Sequence, residues 1–133
     1  MKLIVDGENA IFGRLGSFVA KELLKGNEVI IINSEKVIIS GSKKDILDKV
    51  INLRRKGGNS MRGPKISRIP EKFLKRKIRG MLPWDRPRGR EVYRNLKCYV
   101  GTRLNEDLKD IKKFEHKKPL RYLTIKQITD NLK

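Results

Sequence analysis

The chemistry for which this sequence is best equipped is the binding of phosphate groups, because lysine and arginine are concentrated in one central segment. Residues 54–103 contain seventeen of these cations and three carboxylates, whereas residues 1–53 contain eight cations and seven carboxylates. Such a density of like charge repels itself within a compact domain unless a polyanion lies beside it. Nucleic acid is therefore the expected partner, held through its phosphates by charge neutralisation and counterion release.

The residue sets that catalysis or metal binding would need are missing from the sequence. The chain has one cysteine, Cys98, and one histidine, His116, and it offers no paired carboxylates or Ser-His-Asp set. We therefore expect no catalytic residue, metal site, cofactor or small-molecule substrate. Cys98 has no partner for an internal disulfide, and we expect an unreactive thiol, buried in a strand of a reduced intracellular protein.

The segment of residues 7–16 occupies the position of a phosphate loop, since it follows a predicted strand and opens a predicted helix. It has neither the GxGxxG nor the GxxxxGK[ST] spacing, so a simple turn is favoured. Arg14 remains a candidate for binding an external phosphate at the helix N-terminus. Residues 33–36 and 40–42 form loops where α/β folds place ligands, although turn chemistry and a helix N-cap are the favoured interpretation of both.

The elements that position these residues follow from hydrophobic periodicity. Helical spacing predicts one helix over residues 14–25 and another that begins at Ser42, in a capping-box-like Ser-Lys-Lys-Asp, and ends at Gly57. Short apolar runs predict four strands: residues 3–5, 29–32, 37–39 and 96–100. Short buried strands separated by amphipathic helices indicate an α/β fold, with a four-stranded parallel sheet between two helical layers.

The basic middle is less regular. Residues 57–65 are expected to form a flexible loop, and Pro70 suits the first turn of a helix that runs to about Leu82. A shorter helical segment begins at Arg88. Each of these segments has an apolar face for the domain and a cationic face for a partner. Trp84, between two prolines, either stacks on a base or packs over the edge of the core, and the sequence leaves both open.

Length and composition favour one domain. We divide it into an α/β core of residues 1–56 and 96–103, a basic region of residues 57–95 and a tail of residues 104–133. No apolar run approaches the roughly 18 residues that cross a bilayer. The first strand meets Asp6 too soon for a secretory signal. We therefore expect a cytoplasmic protein that has no membrane partner and is not an obligate homo-oligomer.

The order of several short motifs resembles the universal large-subunit ribosomal protein L-thirteen family over about residues 3–103. The motifs that carry the resemblance are Gly13-Arg14-Leu15, Asn33-Ser34-Glu35-Lys36, Ile39-Ser40-Gly41, Arg79-Gly80-Met81-Leu82-Pro83 and Arg88-Gly89. Two further motifs, Arg62-Gly63-Pro64 and Arg68-Ile69-Pro70, resemble the archaeal and eukaryotic branch. The His-Pro-His stretch that is typical of the bacterial branch is absent from the sequence.

The resemblance implies a four-stranded parallel sheet between helices and a structural, non-catalytic role. It also implies binding to large-subunit rRNA during assembly, beside neighbouring ribosomal proteins. By motif match, residues 79–83 and 88–89 lie against rRNA, and the turns at Arg14 and residues 33–36 are functional. An RNA-modifying enzyme and a DNA-compacting protein are the alternatives. The enzyme would require a cofactor loop that the sequence lacks.

Charge and resemblance together predict a set of RNA-binding residues spread from the first helix to the end of the basic middle. The set comprises Arg14, Lys36, Arg54, Arg55, Lys56, Arg62, Lys65, Arg68, Lys72, Lys75, Arg76, Arg79, Gly80, Arg86, Arg88, Gly89, Arg90 and Arg94.

Overall fold

The computed structural model describes residues 1–57, 63, 66–102, 111–114 and 117–132. Within these ranges the chain forms six strands and five α-helices, and it is an α/β protein. The strands are β1 (Lys2–Asp6), β2 (Glu28–Ile32), β3 (Ile38–Ser40), β4 (Leu96–Cys98), β5 (Ile111–Lys113) and β6 (Tyr122–Thr124). The helices are α1 (Phe12–Leu24), α2 (Lys43–Lys56), α3 (Pro70–Arg79), α4 (Pro87–Tyr93) and α5 (Ile125–Asp130), and a 3₁₀ turn covers Ser34–Lys36.

The centre of the fold is a four-stranded parallel sheet in the order β4-β2-β1-β5. Its register places Ile4 beside Ile30 and beside Ile111, so β1 has a neighbour on each side. Side chains alternate between the two faces, and both faces are buried. Val5, Val29 and Ile31 face the large core cluster, to which all five helices contribute. Ile4, Ile30 and Ile32 form a smaller cluster on the opposite face with Tyr99 and Ile111.

The predicted four-stranded parallel sheet is confirmed, but one of its predicted members is wrong. Residues 37–39 were expected beside the other strands, whereas β3 pairs antiparallel with β6 in a separate two-stranded sheet. Four residues separate β2 from Val37, and a parallel neighbour requires a crossover of about a dozen residues or more. The chain instead turns through residues 34–36 and hydrogen-bonds across the start of α1, where the Ile38 N–H donates to the Ala10 carbonyl (2.8 Å).

The fourth strand of the sheet comes from residues 111–113, where the sequence analysis predicted no element. The chain after residue 103 also supplies β6 and α5, whose Ile125 and Ile128 are fully buried. A capping box begins α5: the Thr124 hydroxyl accepts a hydrogen bond from the Gln127 N–H (3.3 Å), and the Gln127 side chain accepts one from the Thr124 N–H (3.0 Å). This helix packs against α3, so the end of the chain supports the basic region.

The predicted helices are present with small shifts of their ends. Ser42 caps α2 as predicted, because its hydroxyl accepts a hydrogen bond from the Asp45 N–H (3.2 Å). The chain leaves α2 through Gly57, whose φ of +59° favours glycine. Pro70 occupies the first turn of α3. This helix ends at Arg79 rather than near Leu82, and Met81 and Leu82 continue in hydrogen-bonded turns.

Candidate nucleic-acid interface

Helix α3 divides into an apolar face and a cationic face, as its sequence predicts. Phe73, Leu74 and Ile78 are buried in the large core. On the other side, Lys72 and Arg76 are exposed, and Lys75 and Arg79 are half-buried. Among the residues that the structure describes, no carboxylate forms an ion pair with any of these four cations. The face therefore keeps its full positive charge.

The connection from α3 to α4 folds back tightly, and Gly89 makes this possible. Gly89 is buried, and a Cβ there would lie 2.1 Å from the Pro83 carbonyl oxygen. No side chain fits at such a distance, so α4 reaches the turn at residues 83–84 only because residue 89 is glycine. The structure thus gives Gly89 a packing role inside the site, beneath the residues that form its surface.

Aromatic rings from this turn and from α4 hold two of the α3 cations in place. The Arg79 guanidinium carbon lies 3.8 Å from the centroid of the Trp84 ring, and the Lys75 ammonium lies 5.0 Å from that of Tyr93. Trp84 and Tyr93 meet edge to face, with centroids 5.2 Å apart. Each contact is a cation–π or aromatic pair. Four side chains therefore form one connected row, with the two aromatic rings in the middle and a cation at each end.

Positive charge and burial shape the electrostatics of this row. Burial, followed by the nearby charges of Arg76 and Arg90, lowers the pKa of Arg79. The guanidinium stays protonated near neutral pH, because an arginine pKa lies far above that range. Burial also raises the pKa of Tyr93. Burial is the larger cause at Arg79 and the neighbouring cations the smaller one, and a bound anion would offset both by favouring the charged form.

Other arginines of the basic region have internal partners that are backbone carbonyls. The Arg88 guanidinium donates to the carbonyl of Leu24, the last residue of α1 (2.6 Å), where the helix dipole favours a cation. Arg90 Nε donates to the Trp84 carbonyl (3.0 Å), and Arg54 donates to the Ile66 carbonyl (3.3 Å). A carbonyl orients a guanidinium without cancelling its charge, so these residues remain cations at the surface.

The turn at residues 33–36 lies at the carboxyl edge of the sheet and is bonded to the rest of the protein. Asn33, at φ +53°, donates from Nδ2 to Asp6 Oδ1 (3.0 Å). The Ser34 hydroxyl donates to the Tyr99 carbonyl (2.9 Å). Lys36 forms an ion pair with Glu8 (3.4 Å). These contacts support the turn-chemistry interpretation of this motif, and Lys36 is its exposed cation.

The favoured interpretation of residues 7–16 as a simple turn also has a structural reason. A Cβ at Gly7 would lie 2.8 Å from a methyl group of Val37, so this glycine lets the turn pack against the chain entering β3. Gly16 has a similar role on α1, where a Cβ would lie 2.7 Å from the sulfur of Met81. Arg14, which follows Gly13 in the first turn of α1, is exposed.

The predicted RNA-binding residues occupy different parts of the structure. Arg62 and Lys65 lie outside the described residues. The structure brings together Lys72, Lys75, Arg76, Arg79 and Gly80 along α3, with Arg86, Arg88, Gly89, Arg90 and Arg94 on and around α4. Arg54, Arg55 and Lys56 form the last turn of α2, Arg68 precedes α3, and Arg14 and Lys36 lie on α1 and the 3₁₀ turn.

Sequence reasoning missed two aromatic residues at this surface. Tyr93 lies in the row described above, and Tyr99 lines a cleft with Lys72 and Lys75. The available signal was the interleaving of single aromatic residues with cations from residue 84 to residue 99. The Trp84 ring contacts Arg79 and Tyr93, and these contacts leave both interpretations of Trp84 open.

The described residues give no support to a metal site or a membrane-spanning helix. No group of three or more His, Cys, Asp or Glu side chains there is arranged to hold a metal ion. No described helix has the length and apolar character that a bilayer crossing demands. Cys98 retains partial exposure, yet burial raises the pKa of its thiol to about 12. Its thiolate is therefore scarce at neutral pH, as expected for an unreactive cysteine.

Comparison with known proteins gives a consistent result. The sequence model described as ribosomal protein L13 matches residues 1–105. A Methanocaldococcus jannaschii protein named large ribosomal subunit protein uL13 is 40% identical over 133 residues, covering 97% of this chain and 96% of that protein. The protein of the same name from Methanococcus maripaludis is 37% identical over 133 residues, covering 98% of this chain and 96% of its own length.

A third relative matches a shorter stretch. The Methanopyrus kandleri protein named large ribosomal subunit protein uL13 is 43% identical over 99 residues, which are 74% of this chain and 62% of that protein. All three relatives are archaeal, in agreement with the branch that the sequence motifs indicated. The extent of the family match and the full-length identity to archaeal relatives together show that this chain belongs to the ribosomal protein L13 family, in its archaeal type.

Proposed function

We propose that this chain is a structural component of the large ribosomal subunit that binds and stabilises large-subunit rRNA during assembly, without catalysis. The observation that carries the proposal is the cationic face of α3 and α4, on which Lys72, Lys75, Arg76 and Arg79 have no carboxylate partner among the described residues. Family membership and the names of the archaeal relatives support the same assignment.

The proposed mechanism is electrostatic and geometric. Lysine and arginine side chains neutralise phosphates where RNA segments converge, and so lower the cost of bringing those segments together. Arginine adds planar, paired hydrogen bonds to phosphate oxygens. The proposed setting is the cytoplasm, with rRNA and neighbouring large-subunit proteins as partners. No cofactor, metal or small-molecule substrate has a part in this mechanism.

The experiment is a salt titration of binding to transcribed large-subunit rRNA. Raising the salt from about 50 to 200 mM should weaken binding by on the order of 10³ or more, as expected for six or more neutralised phosphates. A nearly flat response would contradict the mechanism. Duplex DNA of arbitrary sequence is the matched control, and equal affinity for it would instead support a DNA-compacting protein. Sedimentation of cell extract should place the chain with large subunits.

A further inference from the structure

Three adjoining clefts run along the cationic face of α3. The first, of about 190 Å³, and the second, of about 350 Å³, share Lys72 and Lys75. The second and the third, of about 430 Å³, share Arg76. Neighbouring clefts thus share lining residues, and we call the three together the α3 groove. The two larger clefts fall in the range of about 300–1,000 Å³ that is typical of small-ligand sites.

Aromatic residues occur at intervals along the α3 groove, one in each cleft. Tyr99 lines the first, Tyr93 the second and Trp84 the third. The last two belong to the connected row, in which Lys75 lies over Tyr93 and Arg79 lies over Trp84. The lining as a whole has five cations (Lys72, Lys75, Arg76, Arg79 and Lys97) and two carboxylates (Glu71 and Asp85), so its net charge is positive. A positively charged groove interspersed with aromatic rings is the arrangement that binds single-stranded nucleic acid, since the cations follow the phosphates and the flat groups stack with bases.

Gly80, in the wall of the third cleft, has no explanation within the fold. Its φ of −65° suits any residue, and a Cβ there would meet only the Lys77 carbonyl oxygen, at an ordinary 3.5 Å. Gly89 differs, because close packing against Pro83 requires it. At Gly80 the missing side chain instead leaves the cleft open beside Arg79 and Trp84. The open space is what a ligand would need there.

We propose that the α3 groove binds an unpaired strand of rRNA, with one base in the third cleft against Arg79 and its supporting Trp84. This inference rests on the proposed function and adds the form of RNA that the site recognises. A duplex stacks its bases inside and offers mainly backbone and a shallow minor groove, so it has nothing to insert into clefts of this size. Unpaired bases are free to enter them and to stack on guanidinium or aromatic planes.

The test is the variant Gly80→Leu, which fills the third cleft without removing a charge. The probes are an unstructured RNA of about eight nucleotides, a hairpin duplex of matched length and a polyglutamate peptide of matched charge. Trp84 is the sole tryptophan, so its fluorescence reports directly on the cleft. The unpaired RNA should quench Trp84 in the wild type. Gly80→Leu should weaken its binding by roughly 10-fold, the loss expected from one stacked base, and change duplex binding by less than about 2-fold.

A control variant and the contrary outcomes make the test decisive. Asn52→Leu places the same side chain on the exposed face of α2 and should change the affinity for neither the unpaired RNA nor the duplex. If Gly80→Leu lowers the unfolding temperature, Gly80→Ala carries the test, with a smaller loss in the same direction. Equal effects on unpaired and duplex RNA, or polyglutamate binding as tight as that of unpaired RNA, would overturn the groove inference. Salt-dependent rRNA binding by the wild type would still stand, so the proposed function is judged separately.

Discussion

The carboxyl edge of the sheet and the cationic face of α3 are both rich in polar groups, but they differ in where their partners lie. At the edge, Asn33 bonds to Asp6, and Ser34 bonds to the carbonyl of Tyr99. On α3, Arg79 and Lys75 lie over aromatic rings, which orient a cation without neutralising it. Internal pairing is thus found at the polar residues that build the fold, whereas the charges on α3 are oriented but not compensated within the described part of the chain.

Charge reversal on α3 is expected to have the largest effect on RNA binding. Arg76→Glu combined with Arg79→Glu should weaken binding to large-subunit rRNA by about 100-fold and reduce the slope of log affinity against log salt by about two, because two phosphate contacts are lost. The fold should remain intact, and stability to urea should fall by only about 1 kcal/mol, because the contact of Arg79 with Trp84 is lost. Filter binding at several salt concentrations measures both quantities.

The matched control for this variant reverses the same number of charges elsewhere. Lys44→Glu with Lys49→Glu lies on exposed positions of α2 and should leave the salt slope unchanged. Equal losses in the two double variants would mean that overall charge, rather than this face, determines binding. We leave Arg88 out of the test, because its hydrogen bond to Leu24 also anchors the end of α1.

A substitution at the carboxyl edge of the sheet should lower the stability of the protein and leave its rRNA binding unchanged. Asn33→Ala removes the buried hydrogen bond to Asp6 and places alanine at φ +53°. We expect a loss of about 2 kcal/mol in the free energy of unfolding, about half from the hydrogen bond and half from the left-handed backbone. The salt slope of rRNA binding should stay the same.

Lys36→Ala is the control at the same turn. Its ion pair with Glu8 is solvent-exposed, so the stability should change by less than about 1 kcal/mol. Urea unfolding of the three proteins ranks them. An Asn33→Ala variant as stable as Lys36→Ala would contradict the structural role of Asn33. If Asn33→Ala lowered the salt slope of rRNA binding, Asn33 would belong to the RNA-binding surface instead.

Cys98 lines the first cleft of the α3 groove and also packs against the large core. Burial raises its pKa from 9.0 to about 12. Above pH 9 the unfolded chain releases this proton while the native protein retains it, so the stability falls as pH rises from 9 towards 12. At pH 10 the wild type should have lost about 1 kcal/mol relative to Cys98→Ala, compared with their difference at pH 8.

Urea unfolding of both proteins at the two pH values isolates this effect, because the titration of tyrosines and lysines is common to both. A constant difference in the free energy of unfolding would mean that the thiol titrates normally and is open to water in the groove. Slow alkylation of the native wild type at pH 8, which becomes fast on unfolding, is the expected companion result.

The sequence was sufficient for features with a local cause. Periodicity located α1, α2 and the two inner strands, Ser42 signalled a helix cap, and charge density located the cationic face. The predicted pairing of residues 37–39 was wrong, because an apolar run indicates that a strand is present but not which strand it pairs with. The four residues that separate it from β2 already excluded a parallel neighbour.

The chain beyond residue 103 contained readable signals that its charge concealed. Thr124 and Gln127 have the spacing of a capping box, and Leu123, Ile125, Ile128 and Leu132 are all buried. Strand β5 is harder to predict, since its only apolar residue is Ile111 and its pairing with β1 depends on tertiary structure. The contacts between Trp84 and Tyr93 were equally hard to predict from the sequence, because they depend on the close packing of α4 against the turn at residues 83–84, which Gly89 permits.

The pairing of β1 with β5 has a consequence for how the protein is made. More than one hundred residues of the chain separate the strand at Lys2–Asp6 from one of its two neighbours, Ile111–Lys113, so that neighbour is synthesised well after β1. Until that late segment arrives, β1 has an open edge that another chain can use for pairing. Contacts so distant in sequence slow folding. A nascent chain thus completes its sheet only after residues 111–113 have been synthesised, and α3 gains its contact with α5 later still.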